Sequence, residues 1–302
     1  MKRLLFVYNA HAGKAAIRTK LADIIDMMVK YGYRVTSHPT QASGDATELV
    51  EQEGADYDLI VCSGGDGTLD EVVTGMMRLE AKKPIGYIPM GSTNDFANSL
   101  RLPKNVLKSA EIALTGQRFA CDVGQFNDNS FIYVAAFGIF TEVSYQTNQE
   151  LKNLLGHAAY ILQGAKSLLD IAAYEMRVEY EDTVLEGDFI FGMVTNSISV
   201  GGFKKIAGKN VQLDDGVFEV TLIRRPKNPL ELNEIVTSLL SRVDNTELIY
   251  SFKTSEIRFF TEWEISWTLD GEYGGSHEQV IIKNWHRAIE IMVKGTEEID
   301  LF

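Results

Sequence analysis

The sequence predicts an α/β N-terminal domain, a parallel sheet with helices on both faces, followed by a β-rich antiparallel sandwich domain. Three observations predict it. Strand and helix patterns alternate over the first part of the chain, and from about Cys121 alternating β-rich segments take over. Two glycine-and-acid loops, Ser63-Gly64-Gly65-Asp66-Gly67-Thr68 and Gly91-Ser92-Thr93-Asn94-Asp95-Phe96-Ala97, each follow a strand-like run.

Residues 4–8 read as a buried strand, leading into Asn9-Ala10-His11-Ala12-Gly13 and a helix marked by Leu21, Ile24, Ile25 and Met28. Residues 33–38 are strand-like and 45–53 helical. Residues 57–62 form the next strand, before the first loop and a helix carrying Leu69, Val72, Val73 and Met76. Thr68 is the expected N-cap of that helix. Residues 84–88, the second loop and a helical stretch over 106–114 complete the series. Such alternation implies a parallel sheet whose ligands sit beyond the carboxyl ends of its strands. The loops at 9–13, 63–68 and 91–97 all leave strands at that edge, so three loops converge on one site.

The second half carries strand patterns over 131–140, 174–180, 188–195, 218–223, 247–252, 256–260 and 264–269, punctuated by the turns Asp214-Asp215-Gly216 and Asp270-Gly271. Helical patterns over 151–169 and 229–240 interrupt it. The expected division is a first domain over 1–122 and a second over 123–287, with the tail 288–302 a candidate to return to the first.

Composition bounds the function. Hydrophobic residues make up 45% and charged residues 24% of the 302 residues, the profile of a globular protein with ample core. The net charge of −13 argues against general nucleic-acid binding and against docking on anionic membranes by overall charge. The two modest basic clusters, Arg101 to Lys108 and Lys204-Lys205 to Lys209, read as solvated surface. Cys62 and Cys121 sit beside strand-like segments without partners at metal-ligand spacing, as small buried hydrophobes of a reduced protein. The apolar run after Met1-Lys2-Arg3 is too short for a signal peptide, and no segment is apolar enough to cross a membrane. A cytosolic protein with peripheral membrane contact is expected.

The loop chemistry points to a phosphate ligand. Gly64, Gly65 and Gly67 allow a sharp turn and close approach of backbone to a polyphosphate. The helix after them would aim unpaired N–H groups and a partial positive charge at an anion. Asp66 is the odd member, because a carboxylate repels phosphate unless a cation such as Mg²⁺ lies between them. A P-loop does not fit, since Gly13-Lys14 is followed by Ala15 and Tyr8 stands where the first glycine belongs. A dinucleotide fingerprint from Gly65-Asp66-Gly67 fails at Asp70. A lone Gly-Gly-Asp-Gly would pass as an ordinary tight turn; its repetition after the next strand argues against that.

Asn9 to Gly13, Gly64-Gly65-Asp66-Gly67-Thr68, Gly91-Ser92-Thr93-Asn94-Asp95-Phe96-Ala97 and Leu269-Asp270-Gly271-Glu272 together resemble the bacterial soluble diacylglycerol kinases and their lipid-kinase relatives. The sphingosine kinases, and more distantly the NAD kinases and phosphofructokinases, are similar. The glycine-rich motif is shared by the wider group, whereas the Asn-Asp-Phe-Ala loop with Leu-Asp-Gly-Glu downstream is the lipid-kinase signature.

The resemblance implies an N-terminal nucleotide domain, a C-terminal β-rich lipid-substrate domain and a cleft between them. It implies that ATP is held by Asn9, Ala10, His11, Ala12 and Gly13, by Thr40, by Gly65, Asp66, Gly67, Thr68, Leu69, Asp70 and Glu71, and by Ser92. Ser92 stands where relatives usually carry Thr, and the hydroxyl is kept. The first loop lacks the Pro and Ser common in it. By the same resemblance Glu272 is the catalytic base that takes the proton of a lipid hydroxyl, and Asp66, Asp95 and Asp122 organise the catalytic Mg²⁺, largely through water. Gln212 to Val217 looks like a structural Mg²⁺ loop, with Asp215 and the carbonyls of Gln212 and Val217 as ligands; a plain hairpin turn is the alternative. A homodimer is implied by family analogy.

Other readings stay open at this level. The 151–169 helix bears an apolar stripe that is either a wall of an acyl-chain entrance or a face packed on the β-domain. His11, His38, His157, His277 and His286 show no ligand spacing, and only His11 lies where nucleotide is expected. The expected function is ATP- and Mg²⁺-dependent phosphorylation of a lipid, with diacylglycerol giving phosphatidic acid. A kinase for a soluble acceptor and a non-catalytic nucleotide- or lipid-binding regulator are the rivals.

Overall fold

A computed structural model describes residues 1–15, 17–139, 171–198, 200, 211–241 and 246–295. The expected 151–169 helix, His157 and the Lys204, Lys205 and Lys209 cluster lie outside the described residues. The chain divides into two compact units, Met1–Val123 with His286–Phe302, and Gly124–Trp285. The architecture is thus two-unit and sheet-rich.

In the first unit, strand and helix alternate as β1 (Lys2–Tyr8), α1 (Ala12–Ala15), α2 (Ile17–Lys30), β2 (Tyr33–Pro39), α3 (Asp45–Glu53), β3 (Leu59–Gly64), α4 (Asp66–Met77), β4 (Ile85–Pro89), α5 (Asp95–Ser99) and α6 (Val106–Thr115). β1 pairs in parallel with β2 (Leu4 opposite Val35) and with β3 (Leu4 opposite Leu59), and β3 pairs in parallel with β4 (Ile60 opposite Ile85). These central strands are apolar at successive positions because both faces are covered. Leu4, Phe6, Leu59 and Val61 point into one core with Ile17, Ile24 and Met28 of α2 and Ala110, Ala113 and Leu114 of α6. Leu5, Val7, Ile60 and Cys62 are equally buried. Around Gly54 the side chains of Ile60, Val50 of α3 and Leu79 converge, each within about 3.2 Å of where a Cβ would stand.

The second unit runs from the end of β5 (Gln117–Phe126) through β6 (Asn129–Phe131), β7 (Val134–Gly138), β8 (Tyr174–Tyr180), β9 (Thr183–Thr195), β10 (Phe218–Arg224), α7 (Pro229–Ser241), β11 (Ile249–Thr254), β12 (Glu256–Leu269) and most of β13 (Glu272–Val293). Its described pairings are antiparallel. β9 and β12 are long enough that each pairs with β8 along one half and β7 along the other, so these two short strands lie end to end between them. Inward positions of these strands build one aromatic-rich core, in which the Trp267 ring lies 4.8 Å from Phe137, 5.1 Å from Phe259 and 5.2 Å from Phe126.

Several boundaries differ from expectation. α4 begins at Asp66 with Gly65 as its N-cap, so Thr68 lies inside the helix and is not the cap. The first helical bond runs from Leu69 N–H to the Gly65 carbonyl, which sets the start before Thr68. The strands expected over 256–260 and 264–269 are one strand, β12, whose pairing with β13 shifts register between Phe260 and Ile265. The closing segment is the end of β13, and its Ile291 pairs in parallel with Ile85 of β4 in the first unit.

Candidate active site

Three loops of the first unit meet at the carboxyl ends of β1, β3 and β4. Asn9 donates its backbone N–H to the Ser63 carbonyl at 2.9 Å, and its side-chain Oδ1 accepts the N–H of His11 at 2.9 Å. Thr40 N–H reaches the Tyr8 carbonyl at 2.9 Å, which brings the end of β2 alongside. Gly13 has a left-handed φ of 54°, and a Cβ there would sit 1.9 Å from the Met90 carbonyl oxygen. Only glycine fits both demands.

The two glycine-and-acid loops are joined directly. Met90 N–H donates to the Gly64 carbonyl at 2.7 Å. A Cβ on Gly91 would lie 2.6 Å from Gly65 Cα, so the two backbones touch where any larger residue would hold them apart. Asn94, in the left-handed region at φ 51°, accepts the Gly91 N–H with Oδ1 and donates Nδ2–H to the Gly91 carbonyl, both at 2.8 Å. That pair folds residues 91–94 into a tight turn that leaves Ser92 and Thr93 exposed and Asp95 buried. Tyr87 lies beneath, its hydroxyl 3.4 Å from the Gly64 carbonyl and 3.5 Å from Asn94 Oδ1. Burial, with the charge of Asp66 adding to it, pushes its phenol well above the ordinary value, so the ring stays neutral.

Asp66 carries a role that its place in the sequence does not disclose. Its Oδ2 accepts the backbone N–H of Asp95 at 3.0 Å and its Oδ1 that of Phe96 at 3.3 Å. The carboxylate of the first loop therefore caps the helix that opens in the second, answering two N–H groups that a helix start leaves unpaired. Glu71 does the same for α3, accepting the N–H of Gly44 at 2.9 Å and of Ala46 at 3.2 Å. Thr68 and Leu69 are buried in α4. Asp122 is fully buried and accepts the N–H of Arg287 at 2.7 Å.

In the second unit, Glu272 opens β13 as an exposed residue after the Asp270-Gly271 turn. Asp270, to which the motif alone assigns no role, anchors that turn. Its carboxylate accepts the N–H groups of Ile132 at 2.6 Å, Val134 at 2.9 Å and Tyr133 at 3.0 Å, and its carbonyl accepts the Tyr133 hydroxyl at 3.0 Å. The sequence carries no signal that separates the two acids: only the structure shows Asp270 buried and Glu272, two residues later, exposed. The Asp215 carboxylate accepts the Val217 N–H and lies 3.2 Å from Lys253 Nζ, which is 2.9 Å from Glu219. Burial pushes the Glu219 carboxyl up to about 7, with the Lys253 hydrogen bond and charge pulling against it.

Residues 3–126 match the family model for the diacylglycerol kinase catalytic domain. A diacylglycerol kinase of Bacillus subtilis is 33% identical over 306 residues, covering 99% of this chain and 100% of the relative. One from Staphylococcus carnosus is 35% identical over 308 residues, covering 99% and 98%. A crystal structure of a diacylglycerol kinase from Bacillus anthracis superposes with a TM-score of 0.74 at 21% identity, covering 97% of each chain. A second structure from that organism gives 0.80 at 24% identity, covering 97% of this chain and 95% of the other. At those identities the structures establish the fold alone. The chain belongs to the diacylglycerol kinase family, which makes it a lipid kinase, a phosphotransferase with an alcohol acceptor.

Proposed function

We propose that the protein transfers the γ-phosphate of ATP to the free hydroxyl of diacylglycerol, yielding phosphatidic acid and ADP. The observation that carries this reading is the joining of the two glycine-and-acid loops, with Gly65 against Gly91 and Asp66 bonded to Asp95 and Phe96. Such a seam presents a polyphosphate with glycine backbone and a helix start.

In this reading the first unit is the nucleotide-binding domain, an α/β fold with a parallel sheet, and the second, a β-sandwich, is the lipid-substrate domain. ATP is held by Asn9 to Gly13, Thr40, Gly65 to Glu71 and Ser92; within that stretch the buried Thr68 acts through its backbone, and Leu69, whose N–H is bonded to the Gly65 carbonyl, shapes the helix start. Asp66, Asp95 and Asp122 would reach Mg²⁺ largely through water, since both carboxylate oxygens of Asp66 already accept backbone N–H groups and among the described residues no three acids gather closely enough to ligate the ion directly. Bound there, Mg²⁺ would neutralise phosphate charge. Glu272 accepts the proton of the acceptor hydroxyl as its oxygen bonds to the γ-phosphorus and the bond to ADP breaks. The protein works in the cytoplasm, contacting the inner membrane face transiently, and as a homodimer. Among the described residues no helix is long and apolar enough to cross a membrane.

The test is transfer of radiolabelled γ-phosphate from ATP to a panel of lipids in mixed micelles, with Mg²⁺ and with EDTA. Mg²⁺-dependent labelling of diacylglycerol is expected. Labelling of another lipid keeps the mechanism and changes the acceptor. ATP binding with no lipid labelled, or phosphorylation of NAD instead, would overturn the reading.

A further inference from the structure

The resemblance of residues 212–217 to a structural Mg²⁺ loop can be tested on the donors around Asp215. Mg²⁺ takes oxygen ligands in a tight octahedron. Here both carboxylate oxygens of Asp215 face nitrogen: Oδ1 accepts the backbone N–H of Val217 at 3.2 Å, and Oδ2 lies 3.2 Å from the Lys253 ammonium. The same Nζ lies 2.9 Å from Glu219 Oε1. The residues do not fit the ion, because a cation already stands at the one carboxylate the ion would need.

The sheet register sets this arrangement. Glu219 of β10 and Lys253 of β11 are direct cross-strand partners in an antiparallel pair, so their side chains share a face. The Glu219 side chain is only 6% exposed, and a carboxylate so covered requires a partner. Asp215, three residues before β10, leans onto the same ammonium with its side chain 22% exposed. Burial works against the charge on Lys253, but hydrogen bonds and attraction from Glu219 and Asp215 raise its pKa above the ordinary value.

We infer that Lys253 supplies the cation of this loop covalently: its ammonium bridges Asp215 and Glu219 and pins the 211–217 turn to β11, so that the turn holds without a divalent metal. A divalent ion at Asp215 would have to displace a like charge held by a second carboxylate. This assignment concerns the β-rich unit alone and is independent of any Mg²⁺ used in phosphoryl transfer.

The experiment is thermal unfolding of the full chain without nucleotide, in EDTA and in millimolar Mg²⁺, for the wild type, Lys253→Met, Lys253→Arg and Asp215→Asn. Any difference between the two buffers in the wild type should be the same in Asp215→Asn. Lys253→Met should unfold on the order of 5 °C lower in EDTA, through an uncompensated Glu219, and recover part of that loss with Mg²⁺. Lys253→Arg keeps the charge and should stay indifferent to metal, which keeps the test decisive should Lys253→Met fail to fold. An EDTA-induced drop in the wild type that Asp215→Asn abolishes would overturn the inference, because a divalent ion would then be bound at the loop. A drop that persists in full in Asp215→Asn arises elsewhere and agrees with it. Lys253→Met unfolding like the wild type in both buffers would also overturn it.

Discussion

The Asp66 carboxylate lies 3.0 Å from the backbone nitrogen of Asp95, and its second oxygen takes the N–H of Phe96. The acid of one glycine-and-acid loop therefore holds the acid of the other in place, and the two cannot be varied independently. Removing Asp66 does more than delete a charge from the proposed nucleotide site: it leaves two N–H groups at the start of α5 without their acceptor.

Asp66→Ala is accordingly expected to lower stability by about 1–3 kcal/mol as well as to abolish activity, and raised Mg²⁺ should restore neither. Asp66→Asn keeps one acceptor oxygen and should recover part of the stability without the activity. Unfolding curves and kinase assays on the two variants check this; full rescue of Asp66→Ala by Mg²⁺ at unchanged stability would contradict it.

Gly91→Ala tests the contact between the loops. The added methyl would meet Gly65 Cα at 2.6 Å and Asn94 Oδ1 at 2.7 Å, so the loops must part. A loss of about 1–3 kcal/mol is expected, together with a raised KM for ATP. An unchanged KM would mean that the spacing of the loops does not shape the nucleotide site.

Glu272 and Asp270 lie two residues apart and should behave in opposite ways. Glu272→Ala, at an exposed position, should stay within about 0.5 kcal/mol of the wild type and bind ATP normally, while turnover falls roughly 10²–10⁴-fold. Asp270→Ala removes the acceptor of three backbone N–H groups and should destabilise the second unit by at least about 3 kcal/mol. Equal loss of ATP affinity and turnover in Glu272→Ala would refute its role as base.

Asp45 predicts a pH dependence. The backbone N–H of Gln41, 2.7 Å away, holds its carboxyl below the ordinary 3.8; burial opposes this and His38, at 3.2 Å, assists it. A carboxyl whose folded pKa is depressed stabilises the protein above its unfolded value, and that stability is lost as pH falls through the folded value. Asp45→Asn should thus cost about 1 kcal/mol near neutral pH and nothing once the pH lies below both values. Urea midpoints of the two proteins across that range decide it; a gap that survives in acid would point to lost packing instead.

The order of strands and helices in the first unit was legible because burial on both faces writes itself into sequence. Leu4 to Val7 and Leu59 to Cys62 are continuous apolar runs, and Ile24 with Met28 marks the helical face between them. The loops were legible through residue type, since Gly13 and Gly91 stand where backbone approaches backbone. The union of two expected strands into β12 was not, because Thr261 to Glu264 interrupts the inward pattern while the strand continues through a register shift. Thr68 was misplaced as a cap because a threonine before an apolar periodicity looks the same whether it precedes the helix or lies within its first turn.

By itself the sequence determined the features that period and residue type dictate: alternating strands and helices, a change to β-rich chain near Cys121, glycines where only glycine fits, and acids at the ends of strands. The tertiary structure alone decided which donors each acid touches. Asp66 caps α5, Glu71 caps α3, Asp270 anchors the turn that presents Glu272, and Asp215 faces Lys253. The physical reason is that a carboxylate's role depends on which donors come within about 3 Å of it. In each case but Asp215–Val217 those donors come from segments at least 25 residues away in the chain, so only folding brings them into reach.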